Sequence, residues 1–421
     1  MPFMQTPGVI IQEQPAPRTV APVGTSTAAF LGPAPDAKAH PNEAFAVNNW
    51  SEFRNHYAAD NKMPSTVLAN AVYGFFANRG SRCYIVNMPK SEAIRGGDQP
   101  RTGLKLLEEI DEVAIVAAPG IVDPASHEDL IAHCEKMGDR VCILDPPLDV
   151  PNTDLLKTVE APPLPAPPKG KDKTAAAPDD GGTKPAASAA PPPPAGLHPR
   201  LTELGFATMY FPWIVVRDAL DPAGALIEQP PSGHIAGVWA KNDALYGVHS
   251  APAGQRNPIA GCLNLTYRVT GEEQGELNTR GINCIRFFAQ EGPMIWGCRT
   301  LADPSSKFRY LNARRLFNFI EKSILRSNMW VVFQPNDRPL WKLIRSEITG
   351  FLLMCYRDGA LVGKTPEEAF FVKCDEETNP QESIDMGYVR TVIGIRPVLP
   401  AEFVIFQIGF HEEGATVEVA K

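Results

Sequence analysis

None of the eight cysteines (Cys83, Cys134, Cys142, Cys262, Cys284, Cys298, Cys355 and Cys374) stands at C-x-x-C spacing from another. That scatter excludes a zinc ribbon or dithiol motif and fits reduced core thiols. No uncharged apolar run approaches the roughly 18 residues needed to cross a bilayer, and "MPFMQTPG" has neither the basic flank nor the apolar stretch of a signal peptide. The expectation is a chain made and folded in the bacterial cytoplasm, with no membrane insertion. Nucleotide motifs are missing too. "GALVGKT" (Gly359 to Thr365) has three residues between its glycines where a phosphate-binding loop has four, and Pro366 follows at once. "VAIVAAPG" ends in a single glycine, without the G-x-G-x-x-G that brings backbone against a pyrophosphate, and there is no G-x-S-x-G elbow. His127 and His133, six apart on one expected helix, point apart around a 3.6-residue turn. Glu108-Glu109 and Glu367-Glu368 are adjacent and face different ways. No catalytic, cofactor-binding or metal residue is assigned.

What is present is a globular chain of 421 residues, 44% hydrophobic, long enough for two or three domains. Its net charge of -8 is unevenly spread. Between Arg299 and Arg345, ten Lys and Arg face only Asp303, Glu321 and Asp337, a local +7 that leaves the rest near -15. Such asymmetry marks an interaction surface. From Ala161 to Pro199 there are twelve prolines and no Phe, Tyr, Trp, Val or Ile, so this segment has too little to bury to offset its ordering entropy. It reads as a disordered, polyproline-like surface insert.

Around the insert the pattern is α/β. "TSTAAFLG", "RCYIVNM", "VAIVAAPG" and "RVCILDPP" are continuous apolar strands separated by the helical patterns "WSEFRNHYA", "STVLANAVYGFFANRG", "LKLLEEI" and "PASHEDLIAHCEKM". That alternation predicts a largely parallel sheet. "FATMYFPWIVV" resumes it after the insert, which makes the insert an excursion within one domain. From Gly271 the character changes to α+β: strands "INCIRFF" and "MIWGCRTL", a helix through "FRYLNARRLFNFIEKSIL", a strand "MWVVFQ", and a helix from Pro339 behind Asn336 and Asp337 as candidate caps. This last helix places Leu340, Ile344, Ile348 and Phe351 on one face, with Lys342, Arg345 and Thr349 on the other. "TPGVIIQEQPAP" (Thr6 to Pro17) is a lone strand boxed by prolines, whose unpaired edge needs a partner.

Five segments in order resemble contractile tail sheath proteins of phages and phage-tail-like injection systems. They are "TPGVIIQEQ" leading to "GTSTAAFLG", "AVYGFFANRGSRCYIVN", "PPSGHIAGVWAKNDALYGVHSAPAG", "LNTRGINCIRFFAQEGPMIWGCRTL", and "RYLNARRLFNFIEKSI" with "LWKLIRSEITGFLLMCYRDGALVG". The resemblance spans nearly all of the chain except the insert and the last ten residues. It implies an outer α/β domain over 23–270 carrying the insert 161–199, and an inner, tube-facing α+β domain over 271–400. Arms at 1–22 and 401–421 would augment neighbouring subunits' sheets. The arm strands would then hold Val9, Ile10 and Ile11 at one end and Phe403, Ile405, Phe406 and Ile408 at the other. Lys342, Arg345 and Thr349 would face the tube. The implied function is structural: rings of subunits stacked helically around an inner tube, contracting to drive it through a target envelope without a cofactor. The implied partners are further copies, the inner tube protein, baseplate and terminator proteins, with room for sister sheath proteins. Assembly in the cytoplasm would precede release as part of a particle. The alternatives are an α/β enzyme with a disordered insert, and a nucleic-acid binder using the basic region, which lacks any reading motif.

Overall fold

Ala28–Gly32 (β1) is buried at every position. Its side chains divide by alternation: Ala28 and Phe30 enter one core, Ala29 and Leu31 the other. A strand apolar on both faces must be covered on both, and the rest of the fold follows from that. The computed structural model describes residues 19–60, 63–89, 92–159 and 196–403. Val9, Ile10, Ile11, Ile405, Phe406 and Ile408, and residues 160–195 of the insert, lie outside the described residues.

After β1 come β2 (Ala44–Val47), α1 (Trp50–Tyr57), α2 (Val67–Ala77), β3 (Cys83–Asn87), β4 (Ile115–Ala117), α3 (Pro124–Met137) and β5 (Val141–Leu144). Beyond the insert follow β6 (Ala207–Phe211), β7 (Ile214–Arg217), β8 (Leu226–Gln229), α4 (Ser232–Tyr246), β9 (Asn264–Leu265), α5 (Gly271–Thr279), β10 (Ile282–Phe288) and β11 (Gly292–Ile295). Eight strands form one sheet in the order β11-β10-β6-β5-β4-β1-β3-β2. Its middle is parallel, and both edge strands, β2 and β11, pair antiparallel. One face packs against α2 and α4 through Leu68, Val72, Phe75, Ile235, Val238 and Trp239. The other packs against α3 and α5 through Leu130, Ile131, Cys134 and Leu277. Helices α2 and α4 meet at backbone distance because of two glycines. A Cβ at Gly233 would lie 2.4 Å from the Ala71 carbonyl oxygen, and one at Gly237 2.5 Å from that of Phe75.

The second unit holds α6 (Leu311–Ser327), α7 (Arg338–Arg357), β12 (Phe370–Lys373) and β13 (Val392–Ile395). Its core gathers Leu316, Ile320, Leu340, Ile344, Ile348, Phe351 and Leu352. Asp337 caps α7 by accepting from the Leu340 N–H at 3.0 Å, and Pro339 stands in the first turn, where no N–H is needed.

Four expectations need correction. The division at Gly271 falls inside the large sheet, since β10 pairs parallel with β6 in register Ile282 to Met209; the second core begins only with α6. "FATMYFPWIVV" is two strands in two sheets, β6 in the large one and β7 between β8 and β9, broken at Pro212, which has no N–H for a ladder. "MWVVFQ" is no strand: Met329–Val331 is a 3-10 turn, because among the described residues no strand lies beside it to pair. The insert's last four residues are packed, with His198 buried, bridged to Val159 and bonded through Nε2 to the Arg280 carbonyl at 2.8 Å. As expected, β5 and β6 flank the insert in sequence and are neighbours in the sheet.

Candidate assembly surfaces

Where a doubly wound sheet offers a ligand site, this one has placed its own carboxylate. The chain reverses across the sheet at β1, which lies between β3 and β4, and ligands of such sheets sit beyond the strands' carboxyl ends near that reversal. Just past the end of β5, Asp145 accepts from the Ser232 N–H at 3.0 Å and the Ser232 hydroxyl at 2.5 Å, with the Gly120 N–H at 3.4 Å. Ser232 opens α4, so the anion-favouring end of that helix is already occupied. Burial pushes the Asp145 carboxyl up to about 6, against those hydrogen bonds. Burial likewise drives the Cys262, Cys284 and Cys298 thiols up to about 12 and His234 down to about 4. Such groups are poor nucleophiles and bases near neutrality. Among the described residues no group of three or more His, Cys, Asp or Glu is placed to hold a metal, and no helix is long and apolar enough to cross a membrane.

The basic region divides when its partners are identified. Arg315 is buried and forms a two-pronged pair with buried Asp243 of α4, at 2.9 and 2.6 Å. Its guanidinium also lies 4.8 Å above the Trp239 ring. Lys322 reaches Asp139 at 2.5 Å, Arg299 holds Glu402 at 3.0 and 2.5 Å, and Arg338 meets Glu376 at 2.7 Å. Buried Arg314 bonds Glu321 and stacks on Phe206, Phe308 and Phe317. Four of the ten cations, Arg299, Arg314, Arg315 and Lys322, are thus internal fastenings of α6 and its surroundings, while the Arg338 pair is exposed. The sequence could not reveal this, because Asp243, Asp139 and Glu402 are 72, 183 and 103 residues from their partners. Lys307, Arg309, Arg326, Lys342 and Arg345 remain without an acidic partner among the described residues; Lys342 and Arg345 share the exposed face of α7 with Thr349. The opposite face of α7 is buried, as the periodicity predicts.

Both chain ends leave from anchored roots. Val20 is buried in the second core. Ahead of β1, the Ala21 and Val23 N–H groups donate to the Ser327 and Ser323 hydroxyls at 3.0 and 3.1 Å, and Arg315 donates to the Thr25 carbonyl at 2.9 Å. The segment therefore lies along α6. At the other end Glu402 is gripped by Arg299, with the Tyr310 hydroxyl at 3.4 Å, and Phe403 just beyond it is exposed. The second unit also holds the β12–β13 ribbon, antiparallel from Phe370 against Ile395 to Lys373 against Val392. No third described strand joins it, and Phe371 and Val392 are exposed. A two-stranded ribbon is marginal in water, and its outer edges offer unpaired N–H and C=O groups.

Anchored ends, an open ribbon and an unpaired cationic helix face define a subunit of an assembly. Comparison with known proteins agrees. The phage tail sheath protein central domain matches residues 205–301, and the phage tail sheath C-terminal domain matches residues 303–411. The tail sheath protein of Vibrio phage KVP40 is 30% identical over 176 residues, 42% of this chain and 25% of that protein. The tail sheath protein of Salmonella phage ViI is 26% identical over 40% of this chain and 26% of its own length. The aligned part is about a quarter of those longer relatives. Solved structures match from end to end. The sheath of PVC, an extracellular contractile injection system, in its contracted state superposes with a TM-score of 0.71 at 28% identity over 98% of this chain and 99% of that one. The contracted helical sheath of the anti-feeding prophage does so with 0.70 at 26% identity over 97% and 99%. The chain belongs to the contractile tail sheath family, whose members are structural proteins and not enzymes.

Proposed function

We propose that this chain polymerises as stacked rings around an inner tube and contracts to drive that tube through a target envelope. The observation that carries the reading is the end-to-end match to a contractile injection sheath at 28% identity, together with an open two-stranded ribbon and two anchored chain roots. Residues 7–13 and 403–410 supply strands to neighbouring ribbons, with Val9, Ile10 and Ile11 on one arm and Phe403, Ile405, Phe406 and Ile408 on the other. Backbone hydrogen bonds give the strength of such an addition and alternate side chains its register. Lys342, Arg345 and Thr349 face the tube, the first two complementing an acidic tube wall. The unit built on the large sheet lies outward and carries the insert. Baseplate and terminator proteins close the ends, and assembly takes place in the cytoplasm before the particle is released.

The test is removal of Met1 to Gln14. One arm contributes a few hydrogen bonds at about 1 kcal/mol each, and an isolated subunit gains nothing from it. The truncated protein should show a normal circular dichroism spectrum and cooperative melt, yet give bare tubes under negative stain when co-expressed with the tube protein. Full-length contracting sheaths from the truncation would make Val9, Ile10 and Ile11 ordinary intrachain residues.

A further inference from the structure

Between α6 and α7 the chain displays Phe333 fully exposed, at 101% of its reference accessibility. Its φ of 68° is in the left-handed region, a conformation that a bulky aromatic residue rarely adopts without something to over-determine it. The loop beneath it is tied down. Trp330 and Val331 pack on the second core. The Val331, Val332 and Gln334 N–H groups donate to the Asn328, Met329 and Val331 carbonyls at 3.0, 3.3 and 3.1 Å. Asn336 bonds the Tyr388 carbonyl at 3.0 Å and accepts from the Trp341 indole at 2.8 Å. While those residues point inward, Leu325, Met329 and Val332, shortly before Phe333 in the chain, are exposed. The result is a rigid apolar knob. Such a patch on a protein surface marks a contact, and a buried aromatic anchor is the commonest energetic centre of one.

We infer that this knob, Met329 to Phe333, inserts into an apolar recess rimmed by carboxylates on the inner tube. The charge around it selects that chemistry: Arg326, Lys342 and Arg345 are exposed without an acidic partner among the described residues, and Asp337 is engaged as the α7 cap. The knob precedes α7 in the chain, and α7 carries Lys342 and Arg345 on its exposed face. The choice of the tube over a second copy rests on the reading of α7 given above.

The test uses full-length Phe333→Ser, Phe333→Leu and the Lys342→Glu/Arg345→Glu double variant, each co-expressed with the tube protein and counted under negative stain. Purified subunits are compared by melting and sedimentation velocity. Losing a hot-spot aromatic lowers affinity by about tenfold or more. Phe333→Ser should therefore cut the share of sheathed tubes at least that much while its melt and self-association match the wild type, and Phe333→Leu should restore most of it. A shifted melt would mean that the chain's own residues cover the knob, and altered self-association that a second copy does; either overturns the proposal, as would normal sheathing. The double variant fails or succeeds separately. Bare tubes from it beside normal sheaths from Phe333→Ser sink the knob and leave the α7 reading standing. The reverse, with self-association intact, keeps the knob on the tube and removes α7.

Discussion

The two units of the chain solve the problem of strand edges in opposite ways. The large sheet covers both faces with helices, ends in antiparallel strands, and fills its ligand crevice with Asp145 and Ser232. The second unit leaves a two-stranded ribbon open, aromatic side chains in solvent and the cations Arg326, Lys342 and Arg345 without acidic partners among the described residues. One is complete alone; the other is completed by something else. That division assigns stability to the first unit and assembly to the second, with α6 as the element that joins them. Arg315 fastens α6 to α4, and Lys322 fastens it to Asp139 and, through its ammonium group, to the Asp111 carbonyl.

The largest effect should come from breaking that join. Arg315→Met leaves the Asp243 carboxylate, whose side chain is 5% exposed, with only the Thr25 hydroxyl, at 2.6 Å, to answer it. Removing one partner of a buried pair typically costs about 3–5 kcal/mol. Adding Asp243→Leu should recover most of the loss, because the pair as a whole offsets little beyond its own desolvation. Urea unfolding of the single and double variants measures both. A single-variant loss under about 1 kcal/mol would show that water reaches Asp243 and that α6 is held by its apolar face alone.

The next effect probes the closed unit from inside. Asp145 titrates at about 6 in the folded chain against an ordinary 3.8. Folding thus favours its protonated form. Its contribution to stability is fully present below about pH 4 and is lost as the pH rises through 6. Asp145→Asn removes that dependence. The stability of the variant relative to wild type should therefore climb between pH 4 and 7, by about 2–3 kcal/mol for a shift of this size, whatever constant offset the lost charged hydrogen bonds impose. Parallel curves for the two proteins would mean that the carboxylate is not desolvated.

The closed unit is also the part most legible in the sequence, and the reason is physical. Strands buried on both faces are continuous apolar runs, so β1, β3, β4 and β5 stand out wherever they pair. The four-residue β2, pinned to the edge by pairing with β3, does not. "INCIRFF" reads the same whichever sheet it joins, so nothing local places β10 beside β6 rather than in a second domain. The buried face of α7 follows from helical periodicity, and so does the exposure of Lys342 and Arg345. Arg299, Arg315 and Lys322 looked like surface charge because their partners come from distant turns of the chain. "MWVVFQ" misled through β-propensity, which is realised only where a neighbouring strand exists; the same Phe and Val residues form the exposed knob instead.

A smaller effect on folding, with a large one on assembly, tests the open unit. Lys342→Glu/Arg345→Glu exchanges two exposed side chains on the solvent face of α7 and should change the unfolding free energy by less than about 0.5 kcal/mol. Electron microscopy should nonetheless show tubes without sheaths. Sheathed particles that dissolve only at high salt would indicate that the contact is ionic but shared with other cations.

The smallest effect is expected where the closed unit carries its excursion. Deleting Lys169 to Pro194 removes six of the insert's twelve prolines and no aromatic or β-branched aliphatic residue, so little buried area goes with it. The ends of the excursion are already held together, since Val159 bridges His198 and the Leu197 N–H donates to the Leu155 carbonyl at 2.8 Å. Nine residues from 160 to 168 and Ala195 remain to close the loop. Shortening a flexible loop changes its closure entropy only as the logarithm of its length, a few tenths of a kcal/mol to about 1 kcal/mol here, in the stabilising direction. Melting temperature should therefore stay level or rise slightly, and sheaths should form and contract as in the wild type. If the deletion abolished sheaths while leaving the melt intact, the insert would be an assembly contact and the closed unit would not be complete alone; the contrast between the two units would then fail on its simpler side.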